Sequence, residues 1–224
     1  MVEWVRYGPS AGLLRFADAV GETSFRRCRA ILAELERNPP AGLLECVPGF
    51  TTLLLRFDPA QRENLPWLGR YIADQVSGLS LEAVPEPPVK TIPVVYDGED
   101  LTVLASEKNL APAEVIKLHS EPVYLVHLLG FSPGFPYLGG LSPRLHTPRR
   151  PTPRPRVPAG SVAIGGEHTG VYSVDSPGGW HLIGRTDIRL FAHENLAADT
   201  DPREVFFLQP GDRVKFVPVE AGPL

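Results

Sequence analysis

Apolar positions in the first third of the chain alternate between a helical spacing and a strand spacing. Helices are predicted over residues 24–37 and 66–76, because apolar side chains recur there every three or four positions. Short apolar runs bounded by turn residues predict strands over residues 11–17, 43–47 and 51–57. The order strand–helix–strand–strand–helix, completed by one further strand, predicts a ferredoxin-like α/β domain.

The pattern changes after Val84-Pro85-Glu86-Pro87-Pro88, a stiff segment that predicts a linker between residues 1–86 and 87–224. Two short helices are predicted beyond it, over residues 100–107 and 112–119. Strands are predicted over residues 91–96, 123–129, 188–191, 205–208 and 213–217. Many short strands joined by glycine and proline turns favour a closed β-barrel, so the predicted fold class is α+β.

Residues 130–186 form the stretch around which the second domain is predicted to be organised. They contain eleven of the 21 glycines and nine of the 25 prolines, so covalent geometry fixes much of the path. Interspersed aromatic residues distinguish the stretch from a disordered linker, and we interpret it as a rigid, partly buried loop system. The glycines and aromatic residues of this stretch could line a substrate site, or they could simply allow tight packing; both interpretations stay open. The candidate lining residues are Phe131, Gly134, Phe135, Tyr137, Gly139 and Gly140.

Five arginines lie within thirteen residues of this stretch, with no acid among them: Arg144, Arg149, Arg150, Arg154 and Arg156. Arginine makes bidentate bonds with carboxylate and phosphate groups. At least one of Arg149, Arg150 and Arg154 is therefore predicted to bind an anion, in a concave site bordered by Ser161, Tyr172 and Trp180. The alternative is that each arginine lies on a solvated face or pairs with acids of the N-terminal domain.

A serine hydrolase is the less favoured interpretation of the same stretch. Ser161 and Ser176 have histidines and aspartates nearby in sequence, but neither serine lies in a GxSxG motif. A catalytic triad is a spatial arrangement that proximity in sequence does not establish. Turn-capping hydroxyls explain both serines more simply.

Composition narrows the classes of protein that remain. A net charge of −4 over 224 residues disfavours non-specific binding to nucleic acid or anionic membranes. The first residues, MVEWVRYG, lack the features of a signal peptide, and no apolar run has transmembrane length, which predicts a cytoplasmic protein. Cys28 and Cys46 are expected to be reduced thiols, and the six histidines show no metal-site spacing.

Four segments of the chain resemble one known family, in order and at length. They are GFSPGFPYLGGL, PRLHTPRRPTPRPRVPAGSVAIGG, TGVYSVDSPGGWHLIGRT and QPGDRVKFVP. The family is that of PxpB, the B component of 5-oxoprolinase, which includes the kinase inhibitor KipI and is also labelled allophanate hydrolase subunit 1. The resemblance is strong over residues 90–218 and weaker before them.

The resemblance implies an N-terminal α/β domain, a C-terminal cyclophilin-like barrel and a multi-subunit enzyme that uses ATP with Mg²⁺ to open 5-oxoproline to glutamate. The implied partners are a PxpC homologue (also called KipA, and like allophanate hydrolase subunit 2) and a third, LamB/YcsF-type component (PxpA). Arg149, Arg150, Arg154, Ser161, Tyr172, Trp180 and Arg185 fall on matched positions, and no catalytic residue is assigned.

Two further functions stay open at this point. One is inhibition of a sensor histidine kinase, as in KipI, and the other is membership of an allophanate or urea amidolyase-type hydrolase. The segment Gly166-Glu167-His168 departs from the family pattern, because His168 stands where glutamine is more usual. This departure does not change the expected fold, but it makes the identity of the substrate less certain from the resemblance alone.

Overall fold

The computed structural model describes residues 2–79, 88–197 and 200–220. The chain divides into two compact units, Met1–Pro85 and Glu86–Leu224. The segment predicted as a linker, residues 84–88, lies outside the described residues except for Pro88. None of the helices in the described part combines the length and apolar character needed to cross a membrane.

The first unit consists of an antiparallel sheet with helices packed against it. Over residues 2–79 its strands are β1 (Glu3–Arg6), β2 (Ala11–Arg15), β3 (Leu43–Pro48) and β4 (Thr52–Phe57), and its helices are α1 (Glu22–Arg37) and α2 (Leu65–Ser77). The strand order is β1-β2-β4-β3. Leu14, Leu53, Leu55 and Phe57 alternate along their strands and pack with the apolar faces of both helices.

The helices and strands predicted for this unit are confirmed to within a few residues, but β1 was missed. Its sequence, EWVR, places charged residues at both ends of a four-residue strand, so it gives a weak apolar pattern. β1 pairs with β2 and is the fourth strand of this sheet. The sequence prediction required one more strand than it located, and it gave that strand no position. The ferredoxin-like description therefore stays a prediction.

Both cysteines lie in the first unit as free thiols. Cys28 is buried on α1, and Cys46 is half-buried on β3. Burial raises the pKa of each thiol to about 11. Both groups are therefore neutral at physiological pH.

The second unit contains a long sheet that almost closes into a barrel. The strands described in it are β5 (Val89–Val94), β6 (Tyr124–Leu129), β7 (Pro136–Gly139), β8 (Arg154–Val157), β9 (Ser161–Gly165), β10 (His168–Val171), β11 (Ser176–Gly178), β12 (His181–Arg185) and β13 (Arg213–Pro218). The main sheet has the order β12-β9-β10-β7-β6-β13-β5, while β8 and β11 form a separate ribbon. Just beyond β5, Val95 exchanges two backbone hydrogen bonds of 2.9 Å with Arg185, which joins the two edges.

Short helices accompany this sheet: α3 (Leu101–Glu107), α4 (Pro112–Ser120) and α5 (Pro202–Val205). α3 and α4 were predicted almost to the residue. The strands predicted over residues 188–191 and 205–208 were wrong. Asp201 caps a helix that starts at Pro202, and only a single bridge, between Phe191 and Phe206, connects the two segments.

The prediction of a loop system over residues 130–186 was also wrong, because β7 to β12 run through it. Its glycines allow strands and rings to pack closely. A Cβ atom on Gly165 would lie 2.6 Å from the ring of Trp180, and one on Gly170 would lie 2.7 Å from a backbone oxygen of Pro136. Glycine lowers strand propensity, and the apolar pattern therefore gave no strand signal.

A chain of hydrogen bonds crosses the interior of the second unit. His119 is fully buried, with Nδ1 2.7 Å from the Tyr96 hydroxyl and Nε2 2.8 Å from Oγ1 of Thr169. The Thr169 hydroxyl donates to the carbonyl of Ala163 at 2.9 Å, so it accepts from Nε2, and Nδ1 accepts from Tyr96. Burial lowers the pKa of His119 to about 3, which keeps the ring neutral.

Candidate functional site

A tight loop before β7 presents Phe131 to solvent. The N–H of Gly130 donates to the carbonyl of Phe135 at 3.1 Å, and Ser173 Oγ donates to the carbonyl of Pro133 at 2.6 Å. Phe131 adopts φ of +70°, an uncommon conformation for a residue other than glycine, and its side chain is 62% exposed. Such local strain is typical of functional sites and is sustained here by the surrounding hydrogen bonds.

Aromatic rings line the cavity beside this loop. Phe135 lies at their centre, with ring centroids 5.2 Å from Tyr172, 5.3 Å from Tyr137 and 5.3 Å from Trp180, all in edge-to-face geometry. Phe131 contacts Phe135 in the same way at 5.5 Å. Edge-to-face pairs stabilise a fixed arrangement beyond what burial alone provides, so these rings form a preformed wall.

The opposite wall comes from residues 149–153 and 177–179. The backbone N–H of Arg150 donates to the carbonyl of Gly179 at 2.7 Å, which ties the two segments together. A Cβ atom on Gly178 would lie 2.0 Å from the Tyr172 hydroxyl oxygen, so glycine is required for this approach. The cavity has a volume of about 300 Å³ and is lined by Phe131, Phe135, Tyr137, Arg149, Arg150, Pro153, Tyr172, Pro177, Gly178, Gly179 and Trp180.

Burial raises the pKa of Tyr172 above the usual value of a tyrosine, so its hydroxyl stays protonated in the cavity wall. Trp180 is 5% exposed, and its ring belongs both to the cavity wall and to the hydrophobic core. The cavity therefore combines neutral aromatic surface with the two pocket-lining arginines as its cationic groups. Such a combination of apolar wall and few polar groups is typical of sites for small ligands.

Asp100 binds two of the arginines next to this cavity. It is 5% exposed and accepts hydrogen bonds from Arg150 Nη1 at 3.0 Å, from Arg154 Nη2 at 2.8 and 2.9 Å, and from the backbone N–H of Leu182 at 2.7 Å. Arg154 also pairs with Glu99 at 2.7 Å through Nε. Arg154 is thus held by protein carboxylates and does not line the cavity.

The other arginines of the run also have carboxylate partners, with one exception. Arg144 pairs with Glu114 at 2.8 Å, and Arg156 pairs with Asp175. These acids belong to the second unit, so the alternative that acids of the N-terminal domain pair with the run is wrong for these four arginines. Among the described residues, Arg149 has no carboxylate partner; its guanidinium lies 5.9 Å from the ring centroid of Trp180.

Several predicted site residues lie elsewhere. Ser161 is buried at the start of β9, and Arg185 pairs with Asp97 at 2.9 Å beside a separate cavity of about 180 Å³. Gly134, at φ of +75°, packs against Leu190. The glycines after β7 serve packing and the turn: Gly139 lies against His127, and Gly140 adopts φ of +102°.

The hydrolase alternative gains no support from the geometry. The Ser176 hydroxyl is buried without a hydrogen-bond partner in the described structure, and Asp175 accepts from Arg156 and the N–H of Ala159. Neither group takes part in a relay of nucleophile, base and orienting acid. Asp100 was missed as a site residue, although it was the first residue of the helix predicted over residues 100–107, a position at which carboxylates are typical.

The candidate site is thus an aromatic cavity beside an almost closed seven-stranded sheet. The chain belongs to the family described as carboxyltransferase domain, subdomain C and D, whose model matches residues 2–199. Three relatives are each named as the B component of 5-oxoprolinase. They come from Bacillus subtilis (38% identity, 94% of this chain and 90% of the relative), Haemophilus influenzae (45%, 75% and 73%) and Escherichia coli O157:H7 (40%, 96% and 95%).

Solved structures similar to this chain are also known. TTHA0988 is 40% identical, with a TM-score of 0.78 over 99% of this chain, but this chain spans only 41% of its length. PH0987 from Pyrococcus horikoshii is 36% identical, with a TM-score of 0.54 over 97% of this chain and 98% of its own. The urea amidolyase of Kluyveromyces lactis shares 19% identity at a TM-score of 0.75, a likeness that shows the fold alone.

Proposed function

We propose that this chain is a non-autonomous subunit of an ATP-dependent 5-oxoprolinase, which opens 5-oxoproline to L-glutamate. The observation that carries the proposal is the 38–45% identity to three proteins named as the B component of that enzyme, two of them matched over at least nine-tenths of their length. The inhibitor and allophanate alternatives are not favoured by these relatives.

The chemistry requires more than this chain offers. A five-membered lactam is an unreactive amide, and phosphorylation of its carbonyl oxygen by ATP would activate the ring carbon for attack by water. This first water would break the C–N bond and leave an acyl phosphate, and a second water would hydrolyse it, so that glutamate, ADP and phosphate are released. Such a reaction depends on positioning and on stabilising several negative charges. Arg149, which has no carboxylate partner among the described residues, and an aromatic cavity suit the binding of one small reactant, and the remaining groups would come from partner subunits.

The length of TTHA0988 supports a partner of this kind. This chain matches 41% of that protein, so TTHA0988 carries further polypeptide joined covalently to the matching part. In a separate-chain arrangement that polypeptide would correspond to a partner subunit. We assign this role to a PxpC homologue, with a LamB/YcsF-type protein as the third component, in the cytoplasm.

We also infer that the second unit folds as a cyclophilin-like barrel. The seven-stranded sheet whose edges meet at Val95 and Arg185, within the described residues, supports a cyclophilin-like barrel over residues 87–224. A shared fold does not imply shared activity, and we assign no prolyl isomerase function to the barrel.

Reconstitution tests the function directly. The chain would be co-expressed with its PxpC homologue and the third component, and glutamate release from 5-oxoproline would be measured with and without ATP. We expect turnover only when all components and ATP are present, and none from the purified single chain. Turnover by the single chain, or none by the complete assembly, would contradict the proposal.

A further inference from the structure

We infer that the aromatic cavity of this chain holds the 5-oxoproline ring with its carboxylate against Arg149, and that the nucleotide binds on another subunit. This inference rests on the proposed function and goes beyond it, because it divides the two reactants between subunits. Three properties of the cavity support it, namely its charge, its shape and the geometry of its arginines.

The charge of the cavity fits a single negative group. Of the five clustered arginines, four are held by Glu99, Asp100, Glu114 and Asp175, and only Arg149 has no carboxylate partner in the described structure. 5-Oxoproline carries one carboxylate and no basic amine. A nucleoside triphosphate carries several negative charges, and proteins that transfer its terminal phosphate surround it with several cationic groups.

The shape of the cavity fits a small ring. Its volume of about 300 Å³ lies at the lower end of the range for small-molecule sites, and most of its lining is aromatic or proline. The rings of Phe135, Tyr137 and Trp180 are fixed by mutual contacts, so a flat ligand meets a preformed wall. Phe131, held at positive φ and largely exposed, also lines the cavity.

Arg150 supplies a second donor with a defined orientation. Its Nη1 is held by Asp100, while its Nε is buried without a hydrogen-bond partner in the described structure. An unsatisfied buried donor is unfavourable, and a rotation of the guanidinium that brings Nε into the cavity would let an acceptor oxygen of a bound ligand satisfy it. The carboxylate at Arg149 and an oxygen near Arg150 would together fix one orientation of the ring. Asp100 is then a positioning residue for this site.

Ligand titration of the isolated chain tests the inference. Binding would be measured by calorimetry and by saturation-transfer NMR with 5-oxoproline, with 2-pyrrolidinone, which lacks the carboxylate, and with ATP. We expect 5-oxoproline to bind, 2-pyrrolidinone to bind far more weakly and ATP not to compete. Arg149→Gln should weaken binding roughly 10- to 100-fold, the effect of one charged contact. Arg149→Lys should restore little, because lysine cannot reproduce a planar bidentate contact.

Arg144→Gln is the matched control, since Arg144 belongs to the same run but pairs with Glu114 outside the cavity. It should leave binding unchanged. ATP binding that Arg149→Gln abolishes would overturn the inference. If the isolated chain binds nothing, the KM of the assembled enzyme decides: an Arg149→Gln enzyme whose KM for 5-oxoproline equals that of Arg144→Gln would also overturn it. Binding by the single chain without turnover by the assembly would instead refute the proposed function alone.

Discussion

Nη2 of Arg154 lies 2.8 Å from one carboxylate oxygen of Asp100 and 2.9 Å from the other, and both side chains are largely buried. The same carboxylate binds Arg150 and the backbone of Leu182. Asp100 thereby joins the start of α3, the arginine-bearing segment and β12 at one point. Substitution of Asp100 is expected to affect both folding and the cavity.

Asp100→Asn should destabilise the protein by about 3–5 kcal/mol, because it leaves the partly buried Arg150 without a carboxylate and Arg154 with only the exposed Glu99. Urea denaturation followed by circular dichroism would measure the free energy of unfolding. Glu114→Gln, which breaks an exposed pair with Arg144, is the control and should cost less than about 1 kcal/mol. Equal effects of the two substitutions would show that Asp100 has no special role.

The pH dependence of stability should carry the signature of His119. Its pKa is about 3 in the folded protein, below the value of about 6.5 expected when unfolded. Between these values only the unfolded state binds the proton, so stability should fall as pH falls from about 6.5 towards about 3. One proton corresponds to about 1.4 kcal/mol per pH unit. His127, whose pKa burial lowers to about 4, adds a second contribution in the same direction.

His119→Asn should therefore reduce the slope of stability against pH by up to one proton, whatever its effect on absolute stability. Tyr96→Phe is the control, because it removes the hydrogen bond to His119 and leaves the titrating ring in place. It should lower stability at every pH without flattening the slope. Denaturation would be followed from roughly pH 4 to 6.5, and an unchanged slope in His119→Asn would refute the assignment.

Gly178→Ala should destabilise the protein by about 1–3 kcal/mol and narrow the cavity, since the added methyl group would overlap the Tyr172 hydroxyl. Gly78→Ala, at an exposed position with open space around it, is the control. That substitution should change stability by less than about 0.5 kcal/mol. Thermal unfolding of the two variants would compare them, and equal midpoints would contradict the close packing described for Gly178.

The strain at Phe131 can be measured with a pair of substitutions. Phe131→Gly should be more stable than Phe131→Ala by about 1 kcal/mol, because a positive φ is unfavourable for alanine and not for glycine. Both variants remove the ring and should weaken binding in the cavity to a similar extent. An alanine variant at least as stable as the glycine variant would show that the loop relaxes.

The sequence predicted local features of this protein better than long-range ones. α1 and α4 were predictable because apolar spacing and proline marked them. The arginine run was visible, but the carboxylates that neutralise it are far away in sequence: Asp100 lies 54 positions before Arg154. Spacing could not reveal such a pairing, nor show which arginine keeps no carboxylate partner.

The strands between residues 130 and 186 were missed for a different physical reason. Gly165 and Gly178 lie in strands but contribute no side chain to an apolar pattern. Glycine is needed at both positions because an aromatic side chain occupies the space that a Cβ atom would fill. The aromatic residues that fill this space were recognised as unusual for a linker. Their convergence on one cavity depends on strand register, which the sequence alone did not specify.

The position of β13 has a consequence for how the barrel forms during synthesis. β13 is the last strand described in the chain, yet it lies between β6 and β5, with parallel pairing to β5 and antiparallel pairing to β6. A ribosome-bound chain lacking residues 213–218 would hold two apolar strands with unpaired edges facing each other. Contacts of such long sequence separation form slowly. The second unit therefore reaches its native sheet only after residues 213–218 have left the ribosome, and truncation just before Arg213 should yield aggregates instead of a shortened barrel.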